Sequence, residues 1–341
     1  MIGINGLGRI GRLAARQLAR RGPGHLAAIN DPAGLEILVH LLRYDSVHRM
    51  EPLRVEGERR GDQDFLVIEQ EGQVQRVPLF HHRDPAEIPW DRTSAQVVIE
   101  SSGRFTRRAD AARHLRGAVG HVVISAPSPD PDFTVIAPVN GRQFDFESHR
   151  VVSNASCTAH ATAPMLAVLE DAFGLESSTM STVHVATNDQ RLVDAPHGDL
   201  RRARAAMIGI HPTTSSAFGA LKQALPWLKK DFDGWALRVP TLSVNLVDLT
   251  ALVKRDVTVE AVNAAFREAS EGAMKGMVGL AEAPLVSCDF TGRRESVVMD
   301  LELTQVLGGR LLKVFGWHDN ETAYATRLVE LVEGWVGRAG R

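Results

Sequence analysis

The chain has 341 residues, 44% of them hydrophobic and 23% charged, with a formal net charge of -2. That is enough chain for two domains, and it carries no global field that would recruit nucleic acid or an anionic membrane. Its two cysteines, Cys157 and Cys288, form neither a disulfide framework nor a metal-ligand spacing, so a reducing compartment and a site without metal are expected. Met1 leads straight into an apolar strand without a leader pattern, and no apolar run approaches the ~18 residues of a membrane span. The expected location is therefore the cytoplasm, and the expected partners are small molecules.

Met1–Asn5 reads as a short buried strand and Arg9–Arg21 as a helix with Ile10, Leu13, Ala14 and Leu18 on one side. Gly6, Gly8 and Gly11 lie between and just inside them. This is GxGxxG in its strand–turn–helix context, the turn that lets a pyrophosphate approach backbone amides at a helix start, with Arg9 and Ile10 beside it. The next strand, His25–Asp31, ends in an acid twenty residues beyond Gly11, where a dinucleotide fold places the carboxylate for the adenosine ribose. Asp31 thus favours NAD over NADP, and it also reads as an N-cap for a helix beginning near residues 32–34. The stretch Arg54–Arg60 and the pair His81–His82 read as solvated surface. Strands at Ala95–Glu100 and His121–Ser125, separated by a helical segment around Ala111–Leu115, complete the pattern of a doubly wound parallel sheet. Ser101, Ser102 and Ser125 fall at carboxyl ends of these strands, where such sheets bind ligands, although isolated serines also form turns.

After about Val152 the pattern changes. SNASCTAH, Ser153–His160, sets Cys157 at the start of a long helix, Cys157–Phe173, where end amides and dipole favour a thiolate. Cys157 is the nucleophile candidate, and Cys288 reads as an ordinary strand cysteine. Long β-rich runs follow at Thr179–Ala186, Trp235–Val253 and Ser296–Leu307, which suggest an open, largely antiparallel mixed sheet in a second domain. The irregular stretch Asn188–His211 is long enough to be functional or an interface, and Asn320–Val336 reads as a terminal helix.

NGLGRIGR, INDPAG, YDSVH, ESSGRFTRR, ISAP, SNASCT, TNDQRLVDAPHGDLRRARAA, RVPTLSVNLVDLT and WHDNE occur in this order along nearly the whole chain. The chain thereby resembles the phosphorylating glyceraldehyde-3-phosphate dehydrogenases. The resemblance implies an α/β fold with a Rossmann domain at 1–156, a catalytic domain at 157–319 built on an eight- or nine-stranded mixed sheet, and a helix at 320–341 packing back on the first domain. It also implies a homotetramer, NAD as cofactor, and an aldehyde phosphate and inorganic phosphate as substrates. His184 falls on the family's catalytic histidine; on its own, a histidine in a strand is more often a core residue. Thr187, Asp189 and Arg238 fall where the family binds the substrate phosphate, and Ser156, Thr158, Arg201, Ser215 and Ser216 near the inorganic phosphate. Asn320 matches the asparagine on the nicotinamide carboxamide, and Tyr324 the aromatic beside it. Arg201, Arg202 and Arg204 also read as a solvated basic face or as salt bridges across a subunit interface, which is the preferred reading for Arg202.

Departures from the family pattern cluster at the site. CTTNC becomes CTAHA, placing His160 one turn from the thiol. PTTTGAAKA becomes PTTSSAFGA, placing Ser216 at a glycine and Phe218 two residues on. WYDNEWGY becomes WHDNETAY, with Thr322 and Ala323, and VMGVN becomes IAPVN, with Pro138. The expected reaction is oxidation of glyceraldehyde 3-phosphate to 1,3-bisphosphoglycerate through a Cys157 thioester. The alternatives are a paralogue with another aldehyde or acyl acceptor, of the erythrose-4-phosphate or arsenate-using kind, and a non-catalytic nucleotide-binding regulator.

Overall fold

The computed structural model describes residues 1–48, 53–137, 139–228 and 232–339; Pro138 lies outside them. The chain divides into two compact units, Met1–Val135 with Gln143–Ala155 and Ala325–Arg341, and Ile136–Arg142 with Ser156–Tyr324.

The first unit runs β1 (Ile2–Asn5), α1 (Arg9–Ala19), β2 (Leu26–Asn30), α2 (Leu35–Arg43), β3 (Arg54–Arg60), β4 (Gln63–Gln70), β5 (Gln73–Phe80), β6 (Val97–Glu100), α3 (Arg108–Ala111), β7 (His121–Ile124), β8 (Phe133–Thr134) and β9 (Val151–Ser153). They form one sheet in the order β3-β4-β5-β2-β1-β6-β7-β9-β8. Strands β1, β2 and β6 are buried at every residue, as expected of parallel strands covered on both faces. The sense in which successive strands are added across the sheet reverses between β1 and β6, which pair in parallel. Such a switch point opens a crevice at the strands' carboxyl ends.

At one edge β3, β4 and β5 form an antiparallel meander. Its first strand is the arginine-rich stretch read as surface. Val55 is its one buried residue, and Arg59 and Arg60 pair with Asp64 and Glu58, so a charged edge strand hides in a polar sequence.

The second unit runs α4 (Cys157–Phe173), β10 (Leu175–Val185), β11 (His211–Thr213), α5 (Ala217–Ala224), β12 (Phe232–Val239), β13 (Asn245–Val253), α6 (Val259–Glu271), β14 (Val278–Leu280), β15 (Val297–Leu307) and β16 (Leu311–His318). Among the described residues its sheet has seven strands, ordered β11-β12-β10-β13-β16-β15-β14, rather than eight or nine. It is mixed: β10 runs parallel to β12 and antiparallel to β13. The run Trp235–Val253 is two strands rather than one, broken at residues 240–244, where Pro240 cannot donate to a ladder. Burial alternates residue by residue along β13, the mark of a sheet with one face on the core. A last helix, α7 (Thr322–Ala339), belongs to the first unit from Ala325 onward, where Trp335 stacks on Phe144 with ring centroids 5.0 Å apart.

Candidate active site

Each glycine of the first turn has its own reason. Gly6 takes φ 95° and packs on Ser102, and a Cβ at Gly11 would sit 1.9 Å from the Gly6 carbonyl. One forms the tight turn and the other lets α1 close on β1. A Cβ at Gly8 meets nothing within 4 Å. Gly8 is also the N-cap of α1 and makes no side-chain cap, so the helix-end amides are presented to open space, where an anion is favoured.

Beside the turn lies a cavity of about 310 Å³ lined by Gly6, Gly8, Asp31, Arg83, Ser102 and Arg104 among others. The Asp31 carboxylate accepts from the amides of Leu7 at 2.7 Å and Ala33 at 2.9 Å. It therefore ties the glycine turn to its own loop, while the N-cap of α2 is Gly34. Arg83 and Arg104 reach the cavity from outside the 31–34 turn and lie beyond what the spacing around Asp31 predicts. The Ser101 hydroxyl donates to the Gly6 carbonyl at 2.7 Å. Arg9 directs its guanidinium away to Asp45, at 2.7 and 3.0 Å; burial raises the Asp45 carboxyl, but these bonds and two backbone amides outweigh it and hold it at about 2. Ser125 donates its amide to the Glu100 carbonyl and does not line this cavity. An open helix start, a carboxylate for a ribose and a concave floor fit a dinucleotide.

In the second unit, Ser156 is the N-cap of α4 and its hydroxyl accepts from the Ala159 amide at 3.1 Å. Just before it, Ala155 holds a left-handed φ of 50°, a strained conformation for a residue with a Cβ. The turn it makes puts Cys157 at the first position of the helix. Cys157 Sγ lies 3.7 Å from His184 Nε2 and 3.9 Å from Thr158 Oγ1. His184 is brought there by β10, and the parallel register that pairs β10 with β12 sets Arg238 directly alongside it.

Arg238 Nη1 lies 2.8 Å from His184 Nδ1, and the Val185 carbonyl is also 2.8 Å from that nitrogen. A guanidinium only donates, so the two contacts demand opposite tautomers. With the proton on Nδ1 and bonded to Val185, the Nε2 lone pair faces the thiol and the ring is a base. With Nδ1 accepting from Arg238, Nε2–H faces the sulfur and can steady a thiolate or an oxyanion. Arg238 can follow either choice, because Nη1 also reaches the Val185 carbonyl at 3.2 Å and Thr187 Oγ1 at 3.3 Å.

Burial first, and Arg238 second, hold the His184 imidazole well below its ordinary value. Burial pushes the Cys157 thiol up, with Arg238 pulling it down. Burial thus opposes the thiolate that the helix start favours. The partner that favours one is the guanidinium rather than an imidazolium.

The cations differ from the expected set. Arg202 is neither solvated nor directed off the chain: its side chain is 20% exposed and pairs with Asp189 and Asp199. It also donates to the Thr214 carbonyl at 3.1 Å, and its charge acts on Arg238. Arg201 is exposed and donates to the Pro212 carbonyl. Asp189 accepts from Arg202, so it serves as a counter-charge to the cations rather than as a donor. Ser216 has φ -68°, which any residue adopts, and precedes α5 without capping it. The Ser215 hydroxyl accepts from the Ala217 amide at 3.2 Å. Phe218 turns onto Phe232 of β12, ring centroids 5.7 Å apart, so its bulk is absorbed by packing. His160 is 3% exposed and meets Tyr324 edge to face at 5.7 Å. The buried Thr322 takes its place through its amide, which donates to Asp319.

His318 went unnoticed in the sequence. It stands on β16 opposite Asn245, its Nε2 is buried without a hydrogen-bond partner, and it acts electrostatically on His184. Burial lowers its pKa to about 4. Among the described residues no group of three or more His, Cys, Asp or Glu could hold a metal ion.

Residues 1–108 match the family model for the glyceraldehyde 3-phosphate dehydrogenase NAD binding domain, and residues 156–320 match that for its C-terminal domain. The chain is 45% identical over 330 residues to glyceraldehyde-3-phosphate dehydrogenase 1 of Bacillus cereus, covering 97% of this chain and 96% of that one. It is 44% identical over 339 residues to glyceraldehyde-3-phosphate dehydrogenase 1 of Bacillus subtilis, covering 99% and 98%. The Geobacillus stearothermophilus enzyme is 44% identical over 330 residues, covering 97% and 96%.

Gly8→Val fills only the space left open at the helix start. It is expected to abolish NAD binding in a calorimetric titration while leaving the thermal unfolding midpoint within about 2 °C, an effect of well under 1 kcal/mol. His318 titrates near 6.5 when unfolded and at about 4 when folded. As pH falls from 7.5 to 5 only the unfolded chain takes up this proton, so about 2 kcal/mol of stability is lost through this residue. Denaturant midpoints at the two pH values should show that loss reduced by the same amount in His318→Phe.

Proposed function

The chain belongs to the glyceraldehyde-3-phosphate dehydrogenase family, and from that premise we propose how its residues divide the family's reaction. The enzyme is an NAD-dependent, phosphorylating aldehyde dehydrogenase that converts glyceraldehyde 3-phosphate to 1,3-bisphosphoglycerate. In our reading, the substrate phosphate sits on Arg238 and Thr187, with Arg202 and Asp189 as the charge pair behind them. Cys157 sulfur adds to the aldehyde carbon as its thiol proton passes, by way of His184 Nε2, to the carbonyl oxygen. His184 Nε2 then removes that proton as hydride leaves the carbon. NAD, which Gly6, Gly8, Gly11 and Asp31 would hold, would supply the hydride acceptor. The product of this step is a thioester on Cys157. An oxygen of inorganic phosphate, placed by Ser156, Thr158, Arg201, Ser215 and Ser216, attacks it, and the thiolate departs. His184 in its Nε2–H tautomer donates to the tetrahedral oxyanion.

The observation that carries this reading is the Cys157–His184 contact at 3.7 Å with Arg238 in register beside it. It also bears on the order of events. A phosphate on Arg238 would compensate the charge that, after burial, disfavours protonation of His184, so the base would gain strength once the substrate is bound. For the cofactor, we assign Gly6, Gly8, Gly11, Asp31, Ser101 and Ser102, with Asn320 and Tyr324 toward the nicotinamide.

Leu192, Val193, Leu200, Met207 and Ile208 are 61–87% exposed on the irregular segment after β10. That density of bare apolar side chains suits burial against other copies of the chain, and we assign a homotetramer. No helix among the described residues is long and apolar enough to cross a membrane, and we place the enzyme in the cytoplasm.

In ligand-free protein, the rate of iodoacetamide labelling against pH should rise in one step with a midpoint above the ordinary thiol value of about 8.5. Cys157→Ser supplies the control for labelling of Cys288. A midpoint below about 7 would mean that an imidazolium–thiolate pair forms despite Arg238. Initial rates with glyceraldehyde 3-phosphate and NAD, with and without phosphate, test the reaction itself. A glycine at position 216 would expose the amide at the start of α5, so Ser216→Gly should lower the phosphate Michaelis constant about threefold, the worth of one modest hydrogen bond. Rates independent of phosphate would favour the paralogue with another acyl acceptor.

A further inference from the structure

The floor of the cavity beside the glycine turn rests on a buried polar chain that the reaction as described does not use. Trp90 and His114 are fully buried, and Glu100 and Asn5 are 2% and 4% exposed. Trp90 Nε1 donates to His114 Nδ1 at 3.0 Å. An indole N–H can only donate, so His114 carries its proton on Nε2 and donates it to Glu100 Oε2 at 2.9 Å. Asn5 Nδ2 donates to the same oxygen, while the Ser102 amide and hydroxyl both donate to Oε1. Four donors thus converge on one carboxylate.

Ser102 and Asn5 line the cavity. With its hydrogen committed to Glu100 and one lone pair taken by the Arg104 amide at 3.2 Å, the Ser102 hydroxyl has a single lone pair left. We propose that the Trp90–His114–Glu100 chain is a positioning device for the cofactor. It locks the Ser102 hydroxyl with its hydrogen turned inward, so that the floor offers an acceptor to a hydroxyl or amide donor of the dinucleotide and disfavours a phosphate. The Glu100 charge beneath the floor acts in the same sense, adding to Asp31 at the rim. Discrimination against a 2′-phosphorylated dinucleotide is thereby shared between a visible carboxylate and a buried one.

This proposal rests on the reading that the cavity holds NAD, and Glu100→Gln tests it. The glutamine amide directs its hydrogens toward Ser102, where they meet one fixed donor, the Ser102 amide, rather than the two of His114 and Asn5, and where the serine hydroxyl can rotate. Rotation frees a donor toward the cavity and removes a negative charge. The Michaelis constant for NAD should rise about tenfold, more than kcat falls, and the NAD-over-NADP preference should drop by a similar factor, each the worth of about one hydrogen bond to a charged group. Adding Ser102→Ala to Glu100→Gln should abolish the gain toward NADP, a reversal that a merely loosened fold would not produce.

If Glu100→Gln does not fold, Ser102→Ala alone should raise the NAD Michaelis constant about fivefold by loss of the acceptor. Unchanged Michaelis constants and unchanged cofactor preference in the folded variants would overturn the proposal. Tight NAD binding by Gly8→Val would overturn the cavity assignment instead, so the two failures are distinguishable.

Discussion

The chemistry of this site depends on the 2.8 Å approach of the Arg238 guanidinium to the His184 imidazole. The contact is a product of strand register: β10 and β12 run parallel with His184 and Arg238 as direct partners, so no loop has to be ordered to create it. A cation so close discourages the imidazolium and lowers the cost of a thiolate on Cys157. In the proposed reaction the same side chain also seats the substrate's phosphate. One guanidinium therefore links recognition at one end of the substrate to proton transfer at the other.

The two units answer different demands. The cofactor unit needs backbone, because pyrophosphate is held by amides, and its sequence shows this as glycines whose side-chain space is taken by neighbouring atoms or left open. The catalytic unit needs a thiol, a base and cations held against desolvation; it provides the base and Arg238 from near the ends of long strands and the thiol from the start of a helix. In both units the decisive groups lie where strands end, and the interior serves to fix those ends.

Much of this was legible in the sequence. The glycine turn, the limits of the Cys157–Phe173 helix and the alternation of strands and helices in the first unit follow from local pattern. The edge strand β3 did not, because a strand with one buried residue in seven carries no hydrophobic period. Arg202 was passed over for Arg201 for a similar reason. Adjacent arginines are equivalent in sequence, and only the pairing of Arg202 with Asp189 and Asp199 distinguishes them. His318 and the Glu100 chain stayed hidden because their meaning lies in burial and in partners distant along the chain. Phe218 erred the other way, since its bulk near a phosphate turn mattered only until its ring was found against Phe232.

Among the departures from the family pattern, His318 adds an imidazole that acts on His184, and burial keeps that imidazole from adding charge. His318 stays neutral down to about pH 4, so in the physiological range its weight is steric and dipolar. In the proposed reaction the fixed charges around the substrate phosphate are those of Arg238 and Arg202 with Asp189 and Asp199. Both carboxylates pair with Arg202, which leaves Arg238 to meet a phosphate dianion. A site so arranged tolerates exchange of its neutral lining, such as tyrosine for histidine or glycine for serine, more readily than loss of one arginine. Exchange changes packing and single hydrogen bonds, whereas loss of a partner leaves a buried charge uncompensated.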